Sequence, residues 1–254
     1  NDVFNSAEVK TIGSANQLKI STKYKVDENS AEVDQEVQQK LYEALVPFLP
    51  EATTYNQFIN AENNVGKMYS GKVSPTIADD IKKSSVWAIL GSLIVVFLYI
   101  LLRFKKWQFS LGAVAAVFHD VLIVLGIFSI SWRFLPFSME IDQAFIAAIL
   151  TVIGYSLNDT VVVFDRIREY LNEHTSWKFD KVVNSALSST LSRTLNTSLT
   201  TLVVLLAMFT FGADSLRGLL FALIVGVLVG TYSSLFIATP IMHDTLKRLD
   251  KKEK

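Results

Sequence analysis

Two side chains of opposite charge lie inside apolar segments that are long enough to cross a lipid bilayer. Asp159 lies in the segment Gly154–Thr160, inside one apolar stretch, and Arg193 lies within the next apolar stretch. On insertion scales, an isolated charge in the hydrocarbon costs about 2.5–3.5 kcal/mol. A chain that keeps one charge of each sign there is expected to use them, so we take Asp159 and Arg193 as candidates for proton movement.

Helix geometry predicts that these charges lie at similar depths. With a rise of about 1.5 Å per residue, Asp159 and Arg193 each lie roughly 9 Å from the basic end of their spans. His119 and Asp120 lie deeper in an earlier span, roughly 17 Å from that end. We therefore expect Asp159 and Arg193 to meet, with Asp120 one or two helical turns away. Asn158, next to Asp159, completes the proton-pathway candidates.

The helices that carry the two charges also show small or polar faces. In the fourth span, polar residues recur every three or four positions and form a stripe: Ser189, Arg193, Asn196, Thr197 and Thr200. The third span offers Ala147, Thr151, Gly154 and Asn158 on one face. Two such faces could line a hydrated path for proton relay. A static buried ion pair is the alternative, and Asp120 could instead cap or tether a neighbouring helix.

The fifth span carries small residues at every fourth position, a pattern that lets another helix approach closely. The stripe consists of Gly218, Ala222, Gly226, Gly230, Ser234 and Ala238. This pattern favours helix packing over chemistry, and the same interpretation could apply to Gly154.

Several other chemistries are not expected from this sequence. It has no glycine-rich phosphate loop, which argues against nucleotide hydrolysis and against an enzyme of that class. Its 3 histidines lack metal-ligand spacing, so we expect neither a metal nor a cofactor. Asp120 and Asp159 differ in predicted depth, which disfavours an aspartyl protease. The net charge is zero, which gives no reason to expect a nucleic-acid partner.

The elements that must position these residues are transmembrane helices. Five apolar stretches near bilayer-spanning length are predicted at about 84–104, 108–131, 142–164, 188–211 and 216–243. Basic residues concentrate at 103–106, at 166–181 and in the tail 247–254. These three regions share one side of the membrane, which the positive-inside rule makes cytoplasmic. Residues 1–83 are then extracytoplasmic, or periplasmic, and residues 84–246 form the transmembrane domain.

The polar N-terminal region has the pattern of a small α+β domain. Strands are predicted over Val9–Ile12 and Gln17–Val26, a helix over Val33–Phe48, and a third extended piece over Val65–Val73. The predicted fold is thus an α-helical polytopic membrane protein with a small N-terminal α+β domain outside. Because the chain starts outside the membrane, we expect at least one transmembrane helix upstream of it.

The segment Gly154–Glu169 resembles the signature of the SecD/SecF family of bacterial protein-export membrane proteins. Four further segments agree with this resemblance: Val73–Thr76, Phe118–Asp120, Leu191–Leu195 and Gly226–Ser234. The resemblance implies a fold like that of resistance-nodulation-division transporters. It also implies that the chain is the SecF part, working with SecD as a separate subunit or fused upstream, in the bacterial inner membrane.

The resemblance further implies a function in late protein export. Inward proton flow would be coupled to late steps of protein export. The external domain would engage or hold the emerging unfolded preprotein beside the SecYEG translocon, with YajC and SecA-driven export as further partners. Asp159 and Arg193 match family positions implicated in proton movement, and SecD would supply a partner carboxylate. Two alternatives stay open: a non-conducting assembly subunit of the translocon, and a proton-coupled exporter of lipid or a small solute.

Overall fold

The computed structural model describes residues 3–4, 7–11, 17–26, 28, 30–50, 53–61, 65–71, 75–135, 137, 139, 141–213 and 216–250. The chain divides into two compact units, Asn1–Lys83 and Ser84–Lys254.

The first unit combines one hairpin-like sheet with short helices. Its elements are β1 (Ala7–Thr11), β2 (Leu18–Thr22), α1 (Ala31–Leu45), a 3₁₀ turn (Val46–Phe48) and α2 (Tyr55–Ile59). The two strands are antiparallel, with Val9 opposite Ile20. Helix α1 begins where the Ser30 hydroxyl accepts from the Val33 N–H at 3.3 Å, an ordinary N-cap.

Two details of this unit differ from the sequence prediction. Helix α2 was not predicted, although Thr54 and Gln57 form the capping box that starts it. The predicted extended piece Val65–Val73 contains no strand over its described part, residues 65–71. Instead, the Lys67 N–H donates to the Phe58 carbonyl oxygen at 2.8 Å. The chain therefore folds back on α2 rather than pairing with the sheet.

Aromatic and charged contacts hold α1 to its neighbours. The Tyr42 ring lies 5.5 Å from the rings of both Tyr55 and Phe58 on α2. Glu36 on α1 accepts hydrogen bonds from Tyr24 Oη at 2.6 Å and from Lys25 Nζ at 2.7 Å. The hydrogen bonds from Lys25 and Tyr24 lower the pKa of the Glu36 carboxyl to about 2.

The second unit is helical, and among the described residues five helical segments are long and apolar enough to cross a membrane, the first of which begins just before this unit. They span Asp80–Phe104, Trp107–Ser131, Gln143–Glu173, Phe179–Phe211 and Arg217–Arg248. The helices are α3 (Pro75–Phe104), α4 (Trp107–Ser131), α5 (Gln143–Glu173), α6 (Phe179–Phe211), α7 (Arg217–Ser233) and α8 (Thr239–Asp250).

Helices α5 and α6 are longer than the predicted spans 142–164 and 188–211. Helix α5 continues to Glu173 and α6 begins at Phe179. The residues in these additional turns are too polar to be recognised in the sequence as part of an apolar span. An ion pair nevertheless stabilises the helix there. Arg166 Nη1 donates to Glu169 Oε2 at 2.6 Å, an i,i+3 pair on α5.

Close contact between α5 and α7 forms the centre of the bundle. A Cβ on Gly226 would collide with the Val152 side chain, and a Cβ on Gly230 would lie 2.9 Å from Ser156 Cβ. Both glycines are buried. The missing side chains thus allow α7 to approach α5 at the level of Val152 and Ser156.

A π turn, Ser234–Ala238, separates α7 from α8. Pro240 begins the next turn without an N–H to donate, which disfavours a regular α-helical ladder here. The Thr239 hydroxyl donates to the Ser234 carbonyl oxygen at 3.1 Å, five residues back. This side-chain hydrogen bond accompanies a local widening of the helix, and such turns often occur at functional sites.

Ion pairs join the basic ends of several helices. Arg103 at the end of α3 lies 2.6 Å from Asp165 on α5, and Arg168 lies 3.1 Å from the same carboxylate. Lys247 on α8 lies 2.8 Å from Asp180 at the start of α6. The basic segments after spans one, three and five therefore lie at the same end of the bundle.

Candidate functional site

Asp159 lies where α5, α6 and α7 meet. Its residue is 3% exposed, and its carboxylate Oδ2 accepts a long hydrogen bond of 3.5 Å from Ser198 Oγ on α6. Ser198 Oγ also lies 2.5 Å from the Thr231 hydroxyl on α7. Asp159 is thus a buried carboxylate held by one weak contact to a pair of hydroxyls.

Arg193 forms no close ion pair with Asp159, although its positive charge still acts on that carboxylate at longer range. It forms no ion pair of 4.0 Å or shorter with any residue that the structure describes, and it is exposed on α6. The reason is helical geometry, because Arg193 and Ser198 are five positions apart and point about 140° apart around the helix axis. Ser198 faces inward toward Asp159, so Arg193 points to the surface.

The polar stripe of α6 also lies on the surface. Ser189, Asn196, Thr197 and Thr200 are all exposed together with Arg193. The inward face is instead formed by Thr190, Thr194 and Ser198, which are buried and four positions apart. The sequence shows both sets of polar residues on α6 with equally regular spacing. Which set is buried depends on the neighbouring helices and could not be predicted from α6 alone.

The predicted small face of α5 is exposed as well. Ala147, Thr151, Gly154 and Asn158 all lie on the surface. A Cβ on Gly154 would meet no atom of another described helix within 4 Å, so no neighbouring helix of this chain occupies the space beside it.

The exposed faces of α5 and α6 form one surface. Tyr155 Oη donates to Thr201 Oγ1 at 3.3 Å, and Arg166 Nε donates to Ser189 Oγ at 3.0 Å, which fixes the two helices side by side. We call this surface the α5–α6 face: Ala147, Thr151, Gly154, Asn158, Ser189, Arg193, Asn196, Thr197 and Thr200. At its basic end lies an open groove of about 440 Å³, lined by Val162, Asp165, Arg166, Glu169, Ser189, Thr190 and Arg193.

Asp120 forms a second buried polar site, between α4, α5 and α7. Its residue is 0% exposed, and its Oδ2 accepts from Ser156 Oγ at 2.6 Å and from Ser233 Oγ at 2.7 Å. His119 Nδ1 lies 3.1 Å from Asp120 Oδ1. Because Ser156 precedes Asp159 by three residues, Asp120 lies about one helical turn from Asp159, as the sequence had indicated.

The small stripe of the fifth span faces the bundle interior over most of its length. Gly218 is half-buried, while Ala222, Gly226, Gly230, Ser234 and Ala238 are buried. Ser234 also makes polar contacts, because its Oγ lies 3.0 Å from Thr160 Oγ1 and donates to the Ser156 carbonyl oxygen at 3.2 Å. Sequence reasoning missed Ser156, Thr160 and Ser233, and their only signal was hydroxyl groups inside apolar spans.

Known proteins resemble this chain over most of its length. The family model for the C-terminal part of the protein export membrane proteins SecD and SecF matches residues 53–248. A protein translocase subunit SecF from Rhodothermus marinus is 50% identical over 241 residues, which cover 95% of this chain and 72% of that protein. Several further SecF relatives match at 42–43% identity, and this chain spans about half of their length.

Proteins named SecDF also match this chain. A protein translocase subunit SecDF from Brucella abortus is 42% identical over 170 residues, or 67% of this chain and 22% of that protein. The crystal structure of SecDF in a super-membrane-facing form is also similar, with a TM-score of 0.66 and 29% identity. The alignment covers 97% of this chain and 30% of the SecDF chain. The helical fold is therefore shared with a solved structure.

Proposed function

Because the chain belongs to the SecD/SecF family of protein-export membrane proteins, we propose that it is a SecF-type subunit of the Sec protein-export machinery. It is a multi-pass membrane protein, and it uses the proton motive force together with SecD to promote late, extracytoplasmic steps of preprotein translocation. It has no nucleotide hydrolysis of its own, and SecA with ATP drives the earlier phase at the SecYEG translocon, with YajC as a further partner.

The observation that carries this proposal is the separation of Asp159 from Arg193. Asp159 is buried against hydroxyl groups, whereas Arg193 is exposed on the α5–α6 face and forms no ion pair of 4.0 Å or shorter with a described carboxylate. An arginine within a membrane span is costly without a partner. SecD, as a separate chain or fused upstream, supplies a carboxylate to Arg193 when it packs on the α5–α6 face.

In the proposed mechanism, an acidic partner of Arg193 either carries a proton or forms an ion pair with Arg193. A proton that enters from outside neutralises an acidic partner of Arg193, and the released guanidinium then changes the packing of α6 against SecD. Asp159, with its single long contact to Ser198, receives the proton and passes it toward the cytoplasmic end. Asn158 lies beside this path on the exposed side of α5. One charge that crosses 100 mV supplies about 2.3 kcal/mol, enough to bias two helix arrangements.

The proposed orientation places residues 1–83 outside the bacterial inner membrane and the C-terminus in the cytoplasm. The ion pairs Arg103–Asp165 and Lys247–Asp180 support it, because they gather basic segments at one end of the bundle. The external domain engages the emerging unfolded chain. Phe48 and Tyr69, which are 84% and 87% exposed, offer apolar contacts there.

The test is proton-motive-force-dependent export into inverted membrane vesicles that carry the complete SecD–SecF assembly. We expect Asp159→Asn to abolish the force-dependent part of export while the complex still assembles, because an amide cannot carry the proton. Asp244→Asn, a matched change on the exposed part of α8, is expected to behave as wild type. Unchanged export by the Asp159 variant would favour a non-conducting assembly subunit.

A further inference from the structure

Asp120 differs from Asp159 in how completely its carboxylate is bound. Its two carboxylate oxygens have three polar partners within 3.1 Å. One is the adjacent residue His119, and the other two, Ser156 and Ser233, come from other helices. Asp159 has one partner at 3.5 Å. The side chain of His119 is 31% exposed, whereas that of Asp120 is 0% exposed. The histidine therefore stands between a buried carboxylate and the surface.

The groove that His119 reaches lies on a different surface from the α5–α6 face. It is an open depression of about 290 Å³ between α4 and α7, lined by His119, Ile123, Leu228, Val229 and Tyr232. The Tyr232 ring centre lies 6.4 Å from that of His119. None of these residues belongs to the α5–α6 face, so this site opens separately from Arg193.

The helices around Asp120 bring few other titratable groups to it. From α5 comes the uncharged Ser156, while Asp159 is turned toward Ser198 of α6. From α7 comes Ser233, with Tyr232 beside it and 51% exposed. On α8, the titratable side chains with described contacts pair with Asp180 or with each other: His243, Asp244 and Lys247. Among the described residues, His119 is the one titratable side chain in contact with the Asp120 carboxylate.

We propose that His119 and Asp120 form a second proton-binding site, separate from Asp159 and open to the groove between α4 and α7. The inference rests on the proton coupling proposed above. A proton binds Nε2 of neutral His119, whose Nδ1–H donates to Asp120 Oδ1. The Nδ1 proton then moves to Oδ1, which leaves a neutral imidazole and a carboxylic acid. The net charge of the pair changes from minus one to zero.

Ser233 gives the site a way to accommodate both protonation states. Its hydroxyl lies 2.7 Å from Asp120 Oδ2 and 3.1 Å from the Gly230 carbonyl oxygen. It donates to the carboxylate when Asp120 is ionised. When Oδ1 carries the proton, Oδ2 is a neutral carbonyl oxygen and a weaker acceptor than the carboxylate, so the same hydroxyl shifts its donation toward the Gly230 carbonyl oxygen. A proton on the pair thus changes a hydrogen bond between α4 and α7.

Infrared difference spectroscopy of the complete SecD–SecF assembly in lipid nanodiscs tests the site directly. We expect acid titration of the Asp159→Asn assembly to show the carbonyl stretch of a newly protonated carboxylic acid. Adding Asp120→Asn should remove that band. Adding His119→Gln, which retains an amide donor, should keep the band and shift its titration midpoint by about one pH unit. If Asp120→Asn removes no titrating band, the proposal is overturned.

Export assays separate this inference from the proposed function. We expect His119→Gln to shift the pH profile of force-dependent export, a change that loss of a purely structural contact would not cause. If Asp159→Asn abolishes force-dependent export while His119→Gln and Asp120→Asn leave its size and pH profile unchanged, the second site is wrong and the proposed function stands. If Asp159→Asn has no effect, the proposed function fails, and the infrared band alone decides the second site.

Discussion

At the scale of single residues, charge and hydrogen bonding distinguish three ionisable groups in the membrane spans. Arg193 is exposed, Asp159 is buried with one long contact, and Asp120 is buried with a full set of partners. A charged group within a span needs a partner or a water-filled cavity. Each residue meets this requirement in a different way, which predicts different outcomes of substitution.

Replacing Arg193 with leucine should abolish force-dependent export without unfolding the chain. The side chain is exposed and has no described ion-pair partner, so its removal costs little inside this subunit. It does remove the cation offered to SecD. The measurement is export by the assembled complex with and without a protonophore, alongside complex yield after purification. Retention of the protonophore-sensitive component would contradict the role given to Arg193.

The low pKa of the Glu36 carboxyl predicts that the stability of α1 in the N-terminal unit depends on pH. This pKa is lowered from 4.5 to about 2, so the stabilising contacts of Glu36 are complete above pH 4.5 and disappear as the pH falls toward 2. We expect Glu36→Gln to lower the amide hydrogen-exchange protection of α1 near neutral pH. That difference between wild type and variant should vanish near pH 2. An equal difference at both pH values would show that the carboxylate charge is not responsible.

At the scale of helices, the stripe of small residues on α7 has the clearest structural consequence. It brings α7 against α5 and places Ser233 and Ser234 beside polar partners on two different helices. The spacing of this stripe was visible in the sequence because every fourth residue is small. The partner helix was not visible, because several apolar helices could have supplied the opposing surface.

Gly230→Ala should destabilise the bundle. The added Cβ would lie 2.9 Å from Ser156 Cβ on α5, and both residues belong to regular helices that must separate to admit it. Overpacking of this kind costs about 1–3 kcal/mol. Thermal unfolding in detergent should show a lower midpoint for this variant. Gly126→Ala is the matched control, since a Cβ there meets no atom within 4 Å, and it should unfold at the wild-type temperature or above.

At the scale of the whole molecule, the sequence predicted the five spans found among the described residues and a small α+β unit that precedes them in the chain. Local hydrophobicity determines where a span occurs, so residues 108–131 and Trp107–Ser131 nearly coincide. Which side of α6 faces inward depends on contacts with α5 and α7. For that reason the sequence did not show that the stripe with Arg193 lies on the surface of this chain, and the buried register of Thr190, Thr194 and Ser198 was missed.

The exposed α5–α6 face predicts contact with another subunit in the assembly. The chain has no cysteine, so single cysteines report local accessibility without interference. We expect Thr151→Cys to react with a membrane-permeant maleimide in the isolated chain and to be protected in the complete SecD–SecF assembly. Leu122→Cys, on exposed α4, serves as control and should react equally in both. Equal labelling at Thr151 would show that this face stays uncovered.

The π turn at Ser234–Ala238 also affects how the last span can vary in length. A π turn holds one more residue than an α turn, so it behaves as a one-residue insertion that leaves the helices on either side in phase. Deleting one residue there would restore a regular helix and still aim Gly230 at α5 and Lys247 at Asp180. The Ser234 carbonyl oxygen would then accept from a backbone N–H four residues later in place of the Thr239 hydroxyl. Chains of this family that are one residue shorter at this point should therefore lack that side-chain hydrogen bond and share the same helix contacts.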